Sequence, residues 1–94
     1  MIRTFKDGQL RKFWRTGAAK GINPTDARRI AILLTALDAA LTPDDLAPLG
    51  LGFHALKGDR KGEYAMTIRA NWRLVFEWDD GAAIRVRQED YHGT

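Results

Sequence analysis

The sequence has no cysteine, which excludes disulfide staples and thiolate metal sites. It has only two histidines, and neither stands in the clustered carboxylate pattern that would argue for a structural zinc. No apolar run approaches the roughly 20 residues that a membrane helix requires, and the opening Met1-Ile2-Arg3-Thr4-Phe5-Lys6 lacks the apolar core of a signal peptide. A cytoplasmic protein with no membrane partner is therefore expected. Any catalysis has to run on side chains, with neither cofactor nor metal. Internal repeats and low-complexity segments are also missing, which leaves no sign of a repeat array or a disordered tail.

What remains is an ordinary globular mix of 45% hydrophobic and 29% charged residues. A chain of 94 residues supports one core, and the expectation is a single domain over residues 1–94. The net charge is +3 and the sequence pI about 9.6. The excess lies entirely upstream: residues 1–50 hold 8 basic and 5 acidic side chains, and the remainder 7 of each. A mildly cationic N-terminal half suits phosphate-backbone binding.

Hydrophobic spacing divides the chain into a helical half and a β half. Ile2 to Phe5 reads as an edge strand, Asp7-Gly8 as a helix start and Gly17 as its stop, with Leu10, Phe13 and Trp14 forming one apolar stripe. A second helix is predicted over about residues 24–41, because Asn23 can cap it, Pro24 suits its first position and Asp26 stands where a capping-box acid belongs. Ala27, Ile30, Leu33, Leu34, Leu37 and Leu41 repeat through it at three- and four-residue steps until Thr42-Pro43 breaks the pattern. Residues from there to Gly52 read as a connecting loop. Phe53 to Lys57 then reads as a strand and Gly58 to Gly62 as a turn.

Tyr64, Met66 and Ile68 alternate with Ala65, Thr67 and Arg69. After Ala70-Asn71, Trp72, Leu74 and Phe76 alternate with Arg73, Val75 and Glu77, which makes a hairpin. Asp79-Asp80-Gly81 supplies a second turn, and Ile84 and Val86 alternate with Arg85 and Arg87 on a last strand. The fold class expected is α+β, with two N-terminal helices packed on a mostly antiparallel sheet.

Alternation sends Tyr64 and Trp72 toward the core and turns Thr67, Arg69 and Arg73 outward. If His54 and Lys57 reach the same side, a cationic floor of His, Lys and Arg results, for which Glu89-Asp90-Tyr91-His92 could form one wall. These residue types suit RNA cleavage without a metal. Such cleavage needs a base for the 2′-hydroxyl, cations for the charge building on the phosphate, and an acid for the departing 5′ oxygen. Histidine, with an unperturbed pKa near about 6.5, is the natural proton mover. Taken singly, each residue also has an ordinary structural role as surface charge or packing aromatic.

Three stretches tip the balance: His54-Ala55-Leu56-Lys57-Gly58-Asp59-Arg60, then Thr67-Ile68-Arg69-Ala70-Asn71-Trp72-Arg73-Leu74-Val75-Phe76, then Glu89-Asp90-Tyr91-His92. In this order and at these separations they resemble the HigB toxins of the RelE superfamily, and the likeness covers nearly the whole chain. One departure is Ala55, where this group commonly carries proline. The resemblance implies a RelE-like, microbial-ribonuclease-like fold and ribosome-dependent cleavage of mRNA in the decoding site. It also implies a HigA-like helix-turn-helix antitoxin, through which alone the toxin meets operator DNA. Carried over by position, it gives His54, Lys57, Arg73, Asp90, Tyr91 and His92 as catalytic and Arg69 and Asn71 as substrate-binding.

On this reading His92 or Asp90 accepts the 2′-hydroxyl proton, Lys57 and Arg73 stabilise the transition state, His54 assists the leaving group and Tyr91 stacks on a base. Arg11, Lys12, Arg15, Lys20, Arg28 and Arg29 would dock on ribosomal RNA. The runner-up is a binding module that holds an antitoxin and co-represses the operon without cutting RNA. A plain single-strand RNA binder ranks last, since it needs exposed aromatics where Trp72 and Tyr64 are expected in the core.

Overall fold

The computed structural model describes residues 1–91. His92, assigned to the site from the sequence, lies outside the described residues with Gly93 and Thr94. The first helix, α1 (Gly8–Thr16), forms where the apolar stripe and its punctuation agree. The Asp7 carboxylate accepts the N–H groups of Gln9 and Leu10 at 3.0 and 3.1 Å, and Gly17 closes the helix in the left-handed region at φ 80°. Leu10 is fully buried, and Phe13 and Trp14 pack half-buried beside it.

The second helix, α2 (Ala27–Ala39), is shorter at both ends than its apolar spacing predicts. Asn23 spends its side-chain oxygen on the N–H and hydroxyl of Thr25, at 3.0 and 2.8 Å, so residues 24–26 turn instead of winding. Asp26 caps nothing, because Arg69 holds its carboxylate. Ile30, Leu33, Leu34 and Leu37 are buried as the stripe requires, whereas Leu41 falls beyond the helix and is 81% exposed. The following loop winds as a 3-10 helix over Pro43–Leu49 and buries Leu46. Backbone N–H groups of Thr42 and Leu41 bond to Asp45 and hold its carboxyl below the usual range.

The sheet runs β1 (His54–Ala55), β2 (Glu63–Arg69), β3 (Trp72–Asp79) and β4 (Ala82–Asp90) in chain order, every neighbour antiparallel. Strand β1 is a remnant of the predicted Phe53–Lys57, since a 3-10 turn at Gly58–Arg60 takes over immediately after Lys57. The N-terminal segment lies parallel to β4 through single bridges from Ile2 to Ala83 and Phe5 to Val86. Asp80 and Gly81 join β3 to β4 with φ 46° and 77°, the pair of positive values that a type I′ hairpin turn needs. Among the described residues no helix is long and apolar enough to cross a membrane.

One side of the sheet is closed by the helices. Tyr64, Met66, Ile68, Leu74 and Phe76 meet the buried residues of α1 and α2 there, with Tyr64 stacked on Phe76 at 5.6 Å between ring centroids. The other side is open, and a small buried cluster of Leu56, Ala65 and Val75, with Tyr91 against it, lies there.

Two bulges correct the simple alternation. In β4, Val75 pairs with Arg87 but Glu77 with Ile84, so one extra residue is taken up around Arg85, which sits at φ 52° and donates its N–H to the Thr4 hydroxyl at 2.8 Å. Ala83 and Val86 therefore share the core side, and Ile84 is left half-buried outside it. In β2, Thr67 pairs with Arg73 but Arg69 with Trp72, which carries Arg69 off the open side.

Candidate active site

Cross-strand partners share a face, so the register assembles the open side row by row. His54, Ala65, Val75 and Arg87 form one row, and Thr67, Arg73 and Glu89 the next. Ala65 and Val75 are small, so the floor is shallow and what stands on it is reachable. Tyr91 does: its ring centroid is 6.4 Å from that of His54, and the Arg60 guanidinium carbon lies over the ring, 5.6 Å from its centroid. The Tyr91 N–H donates to the Asn71 carbonyl at 2.8 Å, which ties the residue after β4 to the β2–β3 turn.

The imidazole of His54 is oriented from behind. Its Nδ1 lies 3.1 Å from the Gly52 carbonyl oxygen, and a carbonyl can only accept, so Nδ1 carries the hydrogen in this bond. That leaves Nε2 as the ring nitrogen outside this bond, on an exposed side chain. Gly52 serves a further purpose at φ 72°: a Cβ there would stand 2.3 Å from the Thr67 hydroxyl oxygen, so the loop fits against β2 only without a side chain.

Beside this group lies an ion-pair network that the alternation rule did not reveal. Arg60 donates to both carboxylate oxygens of Glu89, the second at 2.8 Å, and to Glu63 at 2.7 Å. Arg87 donates to Glu63 and, at 3.2 Å, to Glu77, which also accepts from Arg85 at 2.9 Å. Arginine and glutamate are balanced in this cluster, so the expected cationic floor is electrically neutral over much of its width. The bond from Arg60 holds both Glu63 and Glu89 below the usual carboxylate range, and these bonds, Glu89 first, push Arg60 up. The available signal was the three-residue step from Arg60 to Glu63 and the two-residue steps of Arg85, Arg87 and Glu89, legible only once the bulge fixes the register.

The site residues read from the sequence separate as follows. His54 and Tyr91 meet on the open side, Arg73 stands in the adjacent row, and Asn71 lies at the turn above them. The Arg73 guanidinium folds back onto the carbonyls of Ala70 and Trp72, and its Nε is buried without a hydrogen-bond partner among the described residues. Lys57 is exposed where the 3-10 turn begins, and its carbonyl accepts the Arg60 N–H at 3.2 Å. Asp90 pairs with Trp72 in register, so alternation directs it to the helix side of the sheet's end while Tyr91 faces the open side.

Arg69, expected outward beside Thr67 and Arg73, is a correction. It grips the nearly buried carboxylate of Asp26 at 2.7 and 3.3 Å on the helix side, and that bond raises its pKa. Trp72 is a second correction, since it lies 39% exposed beyond the core it was expected to enter. Among the described residues no group of three or more His, Cys, Asp or Glu side chains is disposed to hold a metal ion.

Helices on one side of a small antiparallel sheet, with His54 and Tyr91 on the other, make an α+β protein consistent with the RelE-like type. The model of the RelE-like toxins named HigB, from type II toxin–antitoxin systems, matches residues 3–92. Endoribonuclease HigB of Proteus vulgaris is 38% identical over 92 residues, covering 98% of this chain and all of the relative. Toxin HigB-1 of Vibrio cholerae is 33% identical over 86 residues, covering 89% and 90% of the two chains. A conserved hypothetical protein of Helicobacter pylori, solved in solution, aligns over 97% of this chain and 98% of its own at TM-score 0.46 and 18% identity. The chain belongs to the HigB-like family of RelE-like toxins. Membership in a type II system implies an antitoxin partner.

Proposed function

We propose that this toxin is an endoribonuclease that cuts mRNA in the ribosomal decoding site by metal-independent acid–base chemistry, as one cytoplasmic domain spanning the chain. A HigA-like helix-turn-helix antitoxin holds it inactive and links it to operator DNA. The observation that carries the reading is the approach of Tyr91 to 6.4 Å from His54 on the open side of the sheet, which puts one residue of the terminal motif beside the imidazole of the first. The full-length likeness to an endoribonuclease supports it.

In the proposed reaction His92 takes the proton from the RNA 2′-hydroxyl, since the register directs Asp90, the other candidate base, to the helix side, and the 2′ oxygen attacks the adjacent phosphorus. Lys57 and Arg73 stabilise the charge gathered on the phosphate oxygens. His54 gives its Nε2 proton to the departing 5′ oxygen while Nδ1 stays bonded to the Gly52 carbonyl. The P–O5′ bond breaks, leaving a 2′,3′-cyclic phosphate and a 5′-hydroxyl. Tyr91 stacks on a base and Asn71 contacts the substrate beside it. Arg69 acts indirectly, through its grip on Asp26 at the start of α2.

The shallow floor explains why a second scaffold is needed. Until the ribosome bends the RNA into line for attack, a site this open gains little from its groups. Arg11, Lys12, Arg15, Lys20 and Arg28 are exposed for contact with ribosomal RNA phosphates, whereas Arg29 is committed to the Thr67 carbonyl at 3.0 Å. Mapping new mRNA 5′ ends after brief induction, with translation running and with it blocked, tests the proposal. Cuts that need both translation and His54 support it. An induced chain that makes no new ends yet still binds its antitoxin would instead be the non-cleaving binding module.

A further inference from the structure

On the helix side of the sheet, Trp72 forms one wall of a cleft of about 340 Å³ shared with Asp7, Asn23, Asp26, Arg69 and Gln88. A tryptophan 39% exposed amid polar side chains presents an apolar face that the fold leaves uncovered. Its neighbours are fixed by each other. Gln88 Nε2 donates to Asp7 at 3.1 Å, Arg69 is clamped on Asp26 at 2.7 Å, and Asn23 accepts from Thr25 at 3.0 Å. The walls are thus preorganised, and the volume lies at the small end of ligand clefts.

Charge and position narrow what fits. With Arg69 paired to Asp26, the charge left over in the walls is that of Asp7, which disfavours a phosphate and suits a flat, uncharged ring over a stretch of sugar–phosphate backbone. Trp72 stands between Asn71 and Arg73 in the chain and opposite Asp90 in the register, and the Asn71 carbonyl holds Tyr91 on the other side. The cleft and the catalytic face therefore meet at the β2–β3 turn. A nucleic acid strand crossing that turn would offer one base to Tyr91 and another to Trp72.

We propose that this cleft is a second base-binding subsite, where an unpaired base of the RNA, flanking the one at Tyr91, stacks on the Trp72 indole and is bordered by Arg69 and Gln88. The inference rests on the reading of the chain as a ribonuclease. It adds a determinant of which nucleotides surround the cut.

The test has a binding arm and a cutting arm. The chain has three tryptophans, so the part of the fluorescence change that disappears in Trp72→Phe belongs to this residue. A short single-stranded oligoribonucleotide should quench that part, whereas the same backbone without bases should not. Trp72→Ala should weaken oligonucleotide binding roughly tenfold, the scale of one lost stacking contact, and Trp72→Phe should largely restore it. In the mapped 5′ ends, Trp72→Ala should still cut in a His54-dependent way but lose base preference at one position beside the cut.

Equal quenching by the abasic strand, or an unchanged cutting pattern in Trp72→Ala, overturns the subsite while leaving the ribonuclease reading intact. A base-dependent quench without any His54-dependent cutting keeps the subsite and removes that reading. Loss of antitoxin capture in Trp72→Ala with cutting unchanged would assign the cleft to the protein partner and overturn the inference.

Discussion

The two sides of the sheet are built on opposite principles. The helix side is closed with large, fully buried residues such as Phe76, Met66 and Leu74, and it decides whether the chain folds. The open side has little apolar area, Ala65 and Val75 among it, under a layer of paired charges, a tethered histidine and Tyr91. If the open side carries the proposed reaction, stability and activity are separable in this molecule, because adjacent residues on one strand serve different sides.

The sharpest contrast comes from His54. His54→Ala should lower mRNA cutting about 10²- to 10⁴-fold, the range of a lost general acid or base, while leaving the unfolding midpoint unchanged, since the side chain is exposed. Equal losses of cutting and stability would erase the division between the sides. Phe76→Ala is its counterpart on the closed side. Removing a fully buried ring should cost about 3–5 kcal/mol in chemical denaturation, a large share of the stability of a domain this size.

Arg60 tests whether the paired charges belong to folding or to catalysis. Arg60→Ala takes from half-buried Glu89 the hydrogen bonds of Arg60 and from Glu63 one of its two arginine partners, and should cost about 1–3 kcal/mol at neutral pH in denaturation experiments. The sign with pH follows from the lowered pKa values of Glu63 and Glu89. Their contribution is present above the unfolded glutamate value near about 4.3 and is lost as pH falls through the lower folded values. Stability of the parent should therefore fall over that acid range, and Arg60→Ala should flatten the fall. The smallest effect is expected at Asp7, where replacement by alanine removes the α1 cap and should cost about 1 kcal/mol in the same assay.

The same contrast explains what was legible in the sequence. The closed side was, because large apolar residues at periods of 3.6 and 2 announce their own burial: Leu10, Ile30, Leu34, Leu37, Met66, Leu74 and Phe76 all enter the core as their spacing predicts. The open side was legible only in its residue types. Period-two alternation carries no knowledge of bulges, so it misplaced Ile84 and turned Arg69 outward, and it could not pair Arg60 with a glutamate 29 positions away. Asp26 matched a capping pattern but was claimed by Arg69 from across the fold. The three motifs read as a resemblance supplied the family, and the register then showed that Asp90 and Tyr91, though adjacent, lie toward different sides of the sheet's end.

The central claim is that the open side cuts RNA through its own side chains, and the chemistry of the new RNA ends tests it most directly. Purified toxin and His54→Ala would be incubated with mRNA-programmed ribosomes and the products analysed at both termini. The expected result is a 2′,3′-cyclic phosphate upstream and a 5′-hydroxyl downstream, both nearly absent with His54→Ala although that variant unfolds at the same midpoint and still binds antitoxin. Products bearing 5′-phosphates, or undiminished cutting by His54→Ala, would contradict it.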